Sequence, residues 1–170
     1  MAPKKRGWTN MTNVDISRDY KWGTELEDVA IKSFEKNVKD GDWLPFMKMG
    51  KFSHFDFCSL NAKRRGKMAF VEVKSRRCKR STYEDTIIPS IKMQKALAII
   101  NDKHEAYLLL NFEDEICFVD LKVAKMHFGY NARTDRGRVE LGHYAFISLE
   151  QFKTIEKKED TNDSKKSKTT

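Results

Sequence analysis

The stretch Met68-Ala69-Phe70-Val71-Glu72-Val73-Lys74 decides how this chain is read. Its β-branched and aromatic residues predict a strand over 68–75. Strand side chains alternate between faces, so Phe70, Glu72 and Lys74 share one face and Val71 and Val73 the other. Both faces begin apolar, as in a central strand. A carboxylate and an ammonium group in such a strand cost free energy unless they are paired or hold an ion.

Just upstream, residues 53–60 predict a second strand, with Asp56 set between Phe55 and Phe57. Residues 61–67, which contain Gly66, predict the turn of a hairpin. Antiparallel pairing through that turn brings Asp56 and Glu72 together at one end. Two converging carboxylates suit a hard divalent cation, Mg2+ or Mn2+. Lys74, two residues beyond Glu72, points at the same spot, where it would orient a water or stabilise a phosphorane.

Working outward, Leu26, Val29, Ala30, Ser33, Phe34 and Val38 recur at helical spacing and predict a helix over 24–39. Thr24 is placed to cap it, with Glu27 three residues on as in a capping box, and Asp40-Gly41 ends it. Residues 43–49 predict a short strand, and 76–85 a polar loop. A second helix follows over 89–101, with Pro89 in its first turn. Strands are predicted over 106–111, 116–121 and 144–147, then a short helix begun by Ser148. The fold class is α/β: an αβββαβ core with a mixed central sheet flanked by helices and a C-terminal strand and helix added. Residues 1–20 read as a flexible basic arm, 21–155 as one domain and 156–170 as a disordered charged tail.

A chain of 170 residues, 39% hydrophobic, has room for one domain with an ordinary core. No apolar run approaches the roughly 20 residues of a membrane span. The basic start, Met1 to Arg6, has no apolar segment behind it and is not a secretory signal. The cysteines Cys58, Cys78 and Cys117 and the four histidines are scattered, which argues against structural zinc and for reduced intracellular thiols. The expected location is the cytoplasm of a bacterial host, or the nucleus of a eukaryotic one.

The net charge is +8. Residues 63–80 hold nine Lys or Arg and a single acid, Glu72, so that stretch alone carries +8 and the rest sums to zero. Such a stripe is the footprint of a polyanion, most often nucleic acid. Arg64, Arg65, Arg76, Arg77, Lys79 and Arg80 are its candidate phosphate contacts.

An acid two residues before a lysine proves little by itself, because the chain holds five such triplets. Only Glu72 and Lys74 have an acid-bearing helix upstream, an acid-bearing partner strand, a basic loop downstream and a further helix. That order resembles the PD-(D/E)XK nuclease superfamily, and Gly23-Thr24-Glu25-Leu26-Glu27 resembles the helix start of its resolvase-like members. The resemblance spans about residues 22–120. It implies a restriction-endonuclease-like fold and metal-dependent phosphodiester hydrolysis. Glu27, Asp56, Glu72 and Lys74 would be the catalytic set, with Glu27, Asp56, Glu72 and the Val73 backbone carbonyl holding the metal. One departure is Phe55, where the family motif has proline. Glu27 is preferred to Glu25 on the glycine spacing, and a capping role for Glu27 is compatible with it. Lys92 and Gln94 resemble the polar residues that members present to the scissile phosphate, although a solvated helix face accounts for them equally well. The expected substrate is DNA, cut by an endonuclease, and a homodimer would suit paired cuts. An inactive nucleic-acid-binding protein on the same fold and an RNA-directed nuclease are the alternatives.

Overall fold

The computed structural model describes residues 13–38, 42–133 and 139–158. In chain order its elements are α1 (Asn13–Asn37), β1 (Met47–Lys48), β2 (Phe57–Leu60), β3 (Met68–Ser75), β4 (Asp85–Pro89), α2 (Ser90–Asn101), β5 (Glu105–Asn111), β6 (Glu115–Asp120), β7 (His127–Arg133), β8 (Glu140–Ser148) and β9 (Lys153–Lys157). One six-stranded sheet has the order β1-β2-β3-β5-β6-β9, and a second sheet has the order β4-β8-β7. Within the larger sheet β3 and β5 run parallel and the other pairs antiparallel, so it is mixed as expected.

The alternation of β5 separates two cores. Tyr107 and Leu109 face α1, packing with Ala30, Ile31 and Phe34 and with Val71 and Val73 of β3. Ala106, Leu108 and Leu110 face the other way, onto Met93 and Ala96 of α2 and Ile88, Ala145 and Ile147 of the small sheet. Five successive β5 residues, Ala106 to Leu110, are buried, as a strand covered on both faces requires. Glu72 pairs with Leu108 in the parallel ladder and therefore projects toward α2.

Several boundaries differ from expectation. α1 begins at Asn13, so residues 13–20 are helix and not arm, and Thr24 lies inside the helix instead of capping it. Gly23 costs a helix interior about 1 kcal/mol, too little to end one whose following turns bury Ala30, Ile31 and Phe34. Val29, placed in the apolar stripe from spacing, is half exposed, and Ile31 is buried in its stead. The predicted strand over 43–49 shrinks to Met47–Lys48 and one bridge between Trp43 and Asn61. β4, β7 and β9 were not expected, and β9 carries the domain to Lys157, into the segment read as tail. Residues 1–12 of the arm and 159–170 of the tail lie outside the described residues. The short helix after Ser148 is a single 3-10 turn, Leu149–Gln151, whose Glu150 N–H is capped by the Ser148 hydroxyl at 3.4 Å.

Cys117 sits in the core of β6, where burial pushes its thiol up to about 12. A raised pKa adds stability that is complete below the unfolded thiol's value of 9.0 and is lost as pH rises toward 12. Iodoacetamide at pH 8 therefore modifies the partly exposed Cys58 and Cys78 and leaves Cys117 unreacted until the protein is unfolded. Mass spectrometry of the alkylated protein, with and without denaturant, reads this directly. Equal labelling of all three in the native state would contradict the packing.

Candidate active site

The backbone turns at Asp56. In a regular strand Phe55 and Phe57 would share a face. Here Phe55 packs in the α2 core and Phe57 in the α1 core. β2 consequently starts at Phe57, and not at Ser53 as expected. The turn is held on both sides: Asp56 N–H donates to the Val71 carbonyl at 3.0 Å, and Met49 N–H donates to the Asp56 carbonyl at 2.8 Å. The Asp56 carboxylate then accepts the Val73 N–H through Oδ2 at 2.7 Å. The ladder pairs Phe57 with Val71, and Asp56, the residue before it, lies near enough to Glu72 for its charge to act on that carboxyl.

Glu72 is fully buried. Its Oε1 accepts from Lys92 Nζ at 2.5 Å and is also ion-paired with Lys74. Its Oε2 is buried and has no hydrogen-bond partner. Burial pushes the Glu72 carboxyl up, Lys74 pulls it back down, the Asp56 charge raises it further, and hydrogen bonds from Lys74 and Lys92 lower it. A buried carboxylate oxygen without a donor is expensive. A buried carboxylate beside a second one, with an orphaned oxygen, is the arrangement a divalent cation relieves. The residues present fit such an ion. Among the described residues, no three His, Cys, Asp or Glu side chains cluster as a metal site.

Glu27 stands apart from that pair. Its Oε2 accepts from Lys48 Nζ at 3.1 Å, and Asp28 reaches the same ammonium at 3.6 Å. The helix turn that carries it is nonetheless fixed near the site. The buried side chain of Asn111 donates to the Leu26 carbonyl at 2.9 Å, and Asn111 pairs with Ser75, three residues beyond Glu72. α1 lies on the Val71 and Val73 face of the sheet, opposite Glu72, so Glu27 approaches from the other side of β3. Sequence reading missed Asn111 and Lys48. Asn111 left one signal, a polar residue closing the apolar run of β5.

The basic stripe divides. Arg64 and Arg65 sit exposed in the β2–β3 turn, beyond the Met68 end of β3, which is itself about 13 Å from Glu72 by strand rise. In the same turn Lys63 pairs with Asp42 at 2.8 Å and Lys67 with Glu105. Arg76, Arg77 and Lys79 follow the end of β3 nearest the site. Arg76 N–H donates to the Asn111 carbonyl at 2.8 Å, and its guanidinium reaches Thr86 Oγ1 at 3.4 Å. Arg80 departs from its expected role. Its guanidinium donates to Glu115 at 2.6 Å, Thr154 at 3.0 Å, the Leu149 carbonyl at 2.6 Å and the Phe152 carbonyl at 2.9 Å. It is a tertiary clamp with little left for phosphate. Lys92 reaches the site. Gln94 is exposed, about 200° around α2 from Lys92, and does not face it.

A buried Glu-x-Lys on a central strand, an aspartate at the start of its hairpin partner and a helix before and after have the order of the PD-(D/E)XK nucleases. Residues 21–155 match the family described as phage putative PDDEXK endonuclease, and the chain belongs to that family. Among solved structures, the Holliday junction resolvase Hjc of Archaeoglobus fulgidus is similar over 75% of this chain and 84% of that one, at 15% identity and a TM-score of 0.47. No curated protein matches the chain.

Proposed function

We propose that this nuclease is a divalent-metal-dependent DNA endonuclease, with Asp56 and Glu72 holding Mg2+ or Mn2+ beside the Val73 backbone carbonyl. The observation that carries the reading is the orphaned, buried Oε2 of Glu72 near Asp56. When bound, the ion supplies Lewis-acid stabilisation of the phosphate and a water of lowered pKa. The protein's own groups do the rest. Glu72 holds the Lys74 and Lys92 ammonium groups at one of its oxygens, where they would offset the negative charge that grows on the phosphate in the transition state. The Val73 N–H fixes the Asp56 carboxylate, so its orientation does not wait on substrate. Glu27, released from Lys48, would be the acid that approaches from α1. Arg76, Arg77 and Lys79 would steady the flanking phosphates, with Arg64 and Arg65 meeting the duplex further along. Two copies of the chain would supply the paired cuts of a double-strand break.

The test is digestion of supercoiled, linear and branched DNA, and of RNA of matched sequence, with Mg2+, Mn2+ or chelator. DNA is expected to be cut only in the metal-containing lanes. Cutting that persists in chelator contradicts the metal role, and preference for RNA contradicts the substrate. A second readout is independent of catalysis. A ligand that binds only the native state stabilises it by RT ln(1 + [L]/Kd), about 2.7 kcal/mol at a hundredfold excess over Kd. Mn2+ is therefore expected to raise the melting temperature of the wild type and to leave that of Asp56→Asn unmoved.

A further inference from the structure

Phe52 is 94% exposed, the most exposed large apolar side chain among the described residues. It stands in the connection between β1 and β2, and that connection is built. Ser53 N–H donates to the Gly50 carbonyl at 2.8 Å, closing a turn with Lys51 and Phe52 at its corner. The Ser53 hydroxyl accepts the Phe55 N–H at 3.2 Å and reaches Met49 Sδ at 3.5 Å. The Met49 N–H bond to the Asp56 carbonyl closes the base of the loop. Met49 and Phe55 anchor it in the α2 core, on the face of the sheet where Glu72 projects. The Phe55 ring lies 5.6 Å from that of Phe70, which shares its strand face with Glu72 and Lys74. An aromatic ring is thus held in solvent by a hydrogen-bonded loop whose last residue is the candidate metal ligand Asp56. Three residues lie between the two, a span of at most about 14 Å.

Folding gives no reason for that ring, since it buries almost nothing. Nucleobases do. An aromatic face stacks on any base, and apolar wedges enter DNA where a base step is already unstacked. The exposed Lys51 and His54 flank the ring with groups suited to phosphate. We propose that Phe52 is a base-stacking wedge that inserts at an unpaired or unstacked base of the DNA beside the scissile phosphate. The site then selects distorted DNA over regular duplex. This inference rests on the DNA-nuclease reading.

The experiment compares the full-length wild type, Phe52→Ala, Phe52→Trp and Asp56→Ala on two probes, a fully paired DNA duplex and the same duplex with one unpaired 2-aminopurine. Binding is measured by anisotropy in chelator, and cutting with Mg2+ or Mn2+. Phe52→Ala is expected to weaken binding to the bulged probe about 5- to 150-fold, the range for loss of one stacked base, with a much smaller effect on the paired duplex. Phe52→Trp keeps the preference. The melting temperature of Phe52→Ala equals that of the wild type, because the ring supports no packing. Equal binding and cutting of the bulged probe by Phe52→Ala and wild type overturns the wedge, as does an equal loss on both probes. If the wild type cuts, Asp56→Ala does not, and Phe52→Ala is indistinguishable from wild type, the wedge alone falls. If nothing cuts DNA yet Phe52→Ala still loses the bulged probe, the nuclease reading falls and the wedge stands.

Discussion

Replacing Lys74 with alanine lowers the cleavage rate by about 10²–10³-fold, the usual cost of removing one preorganised donor from a developing charge, and leaves the fold intact. Lys74 is part-exposed, and Lys92 still holds Glu72 Oε1 after its removal. The melting temperature therefore moves by a few degrees at most. Lys74→Arg does not restore the rate, because a planar guanidinium cannot occupy the place of a compact ammonium on one carboxylate oxygen. Asp56→Ala goes further. It removes a candidate metal ligand and also frees the Val73 N–H, so cutting falls to background. Lys92→Ala alone has a smaller effect than Lys74→Ala, and the double variant loses more than the product of the two, since each ammonium group still holds the shared oxygen when the other is gone. Single-turnover rates at saturating metal, together with melting curves, check all of these. A Lys74→Ala enzyme that cuts at the wild-type rate would remove Lys74 from the site.

The placement of Glu72 and Lys74 was legible because it is local. β3 runs from Met68 to Ser75 as read, and a short turn joins it to the strand that follows Asp56, which leaves few alternatives for where those charges meet. What stayed hidden depends on contacts between residues distant in sequence. The helix signal at Thr24 was a sound local cap, overridden by a chain that continues helical back to Asn13. β7 and β9 are edge strands, each paired on one side alone, with β8 and β6. The basic stripe misled for the same reason. Its acids are absent from 63–80 but arrive from elsewhere: Asp42 at Lys63, Glu105 at Lys67 and Glu115 at Arg80. A linear charge count sees nine cations and one anion, whereas the folded surface sees a stripe partly neutralised at each end. Lys92 could be placed near a phosphate from its position in the second helix, but its bond to Glu72 required the two faces of the sheet to be known.

Arg80 offers the sharpest contrast with a phosphate contact. Arg80→Ala destabilises the protein by about 2–4 kcal/mol, below the 3–5 kcal/mol for breaking a fully buried pair because the side chain keeps 23% of its exposure. The loss strands Glu115 and leaves the Leu149 and Phe152 carbonyls without their donor, and it unties the segment after β3 from β6 and from the turn before β9. For a domain of this size the melting temperature falls by roughly 5–15 °C. Arg80→Lys recovers less than half of that, since one ammonium cannot span four acceptors that a planar fork reaches together. The same variants separate structure from binding. Were Arg80 on a phosphate, the slope of log affinity against log salt would shrink by about one for Arg80→Ala, which removes the charge. A structural clamp leaves that slope unchanged, measured on Arg80→Ala well below its melting temperature. A reduced slope with an unchanged melting temperature would return Arg80 to the nucleic-acid surface.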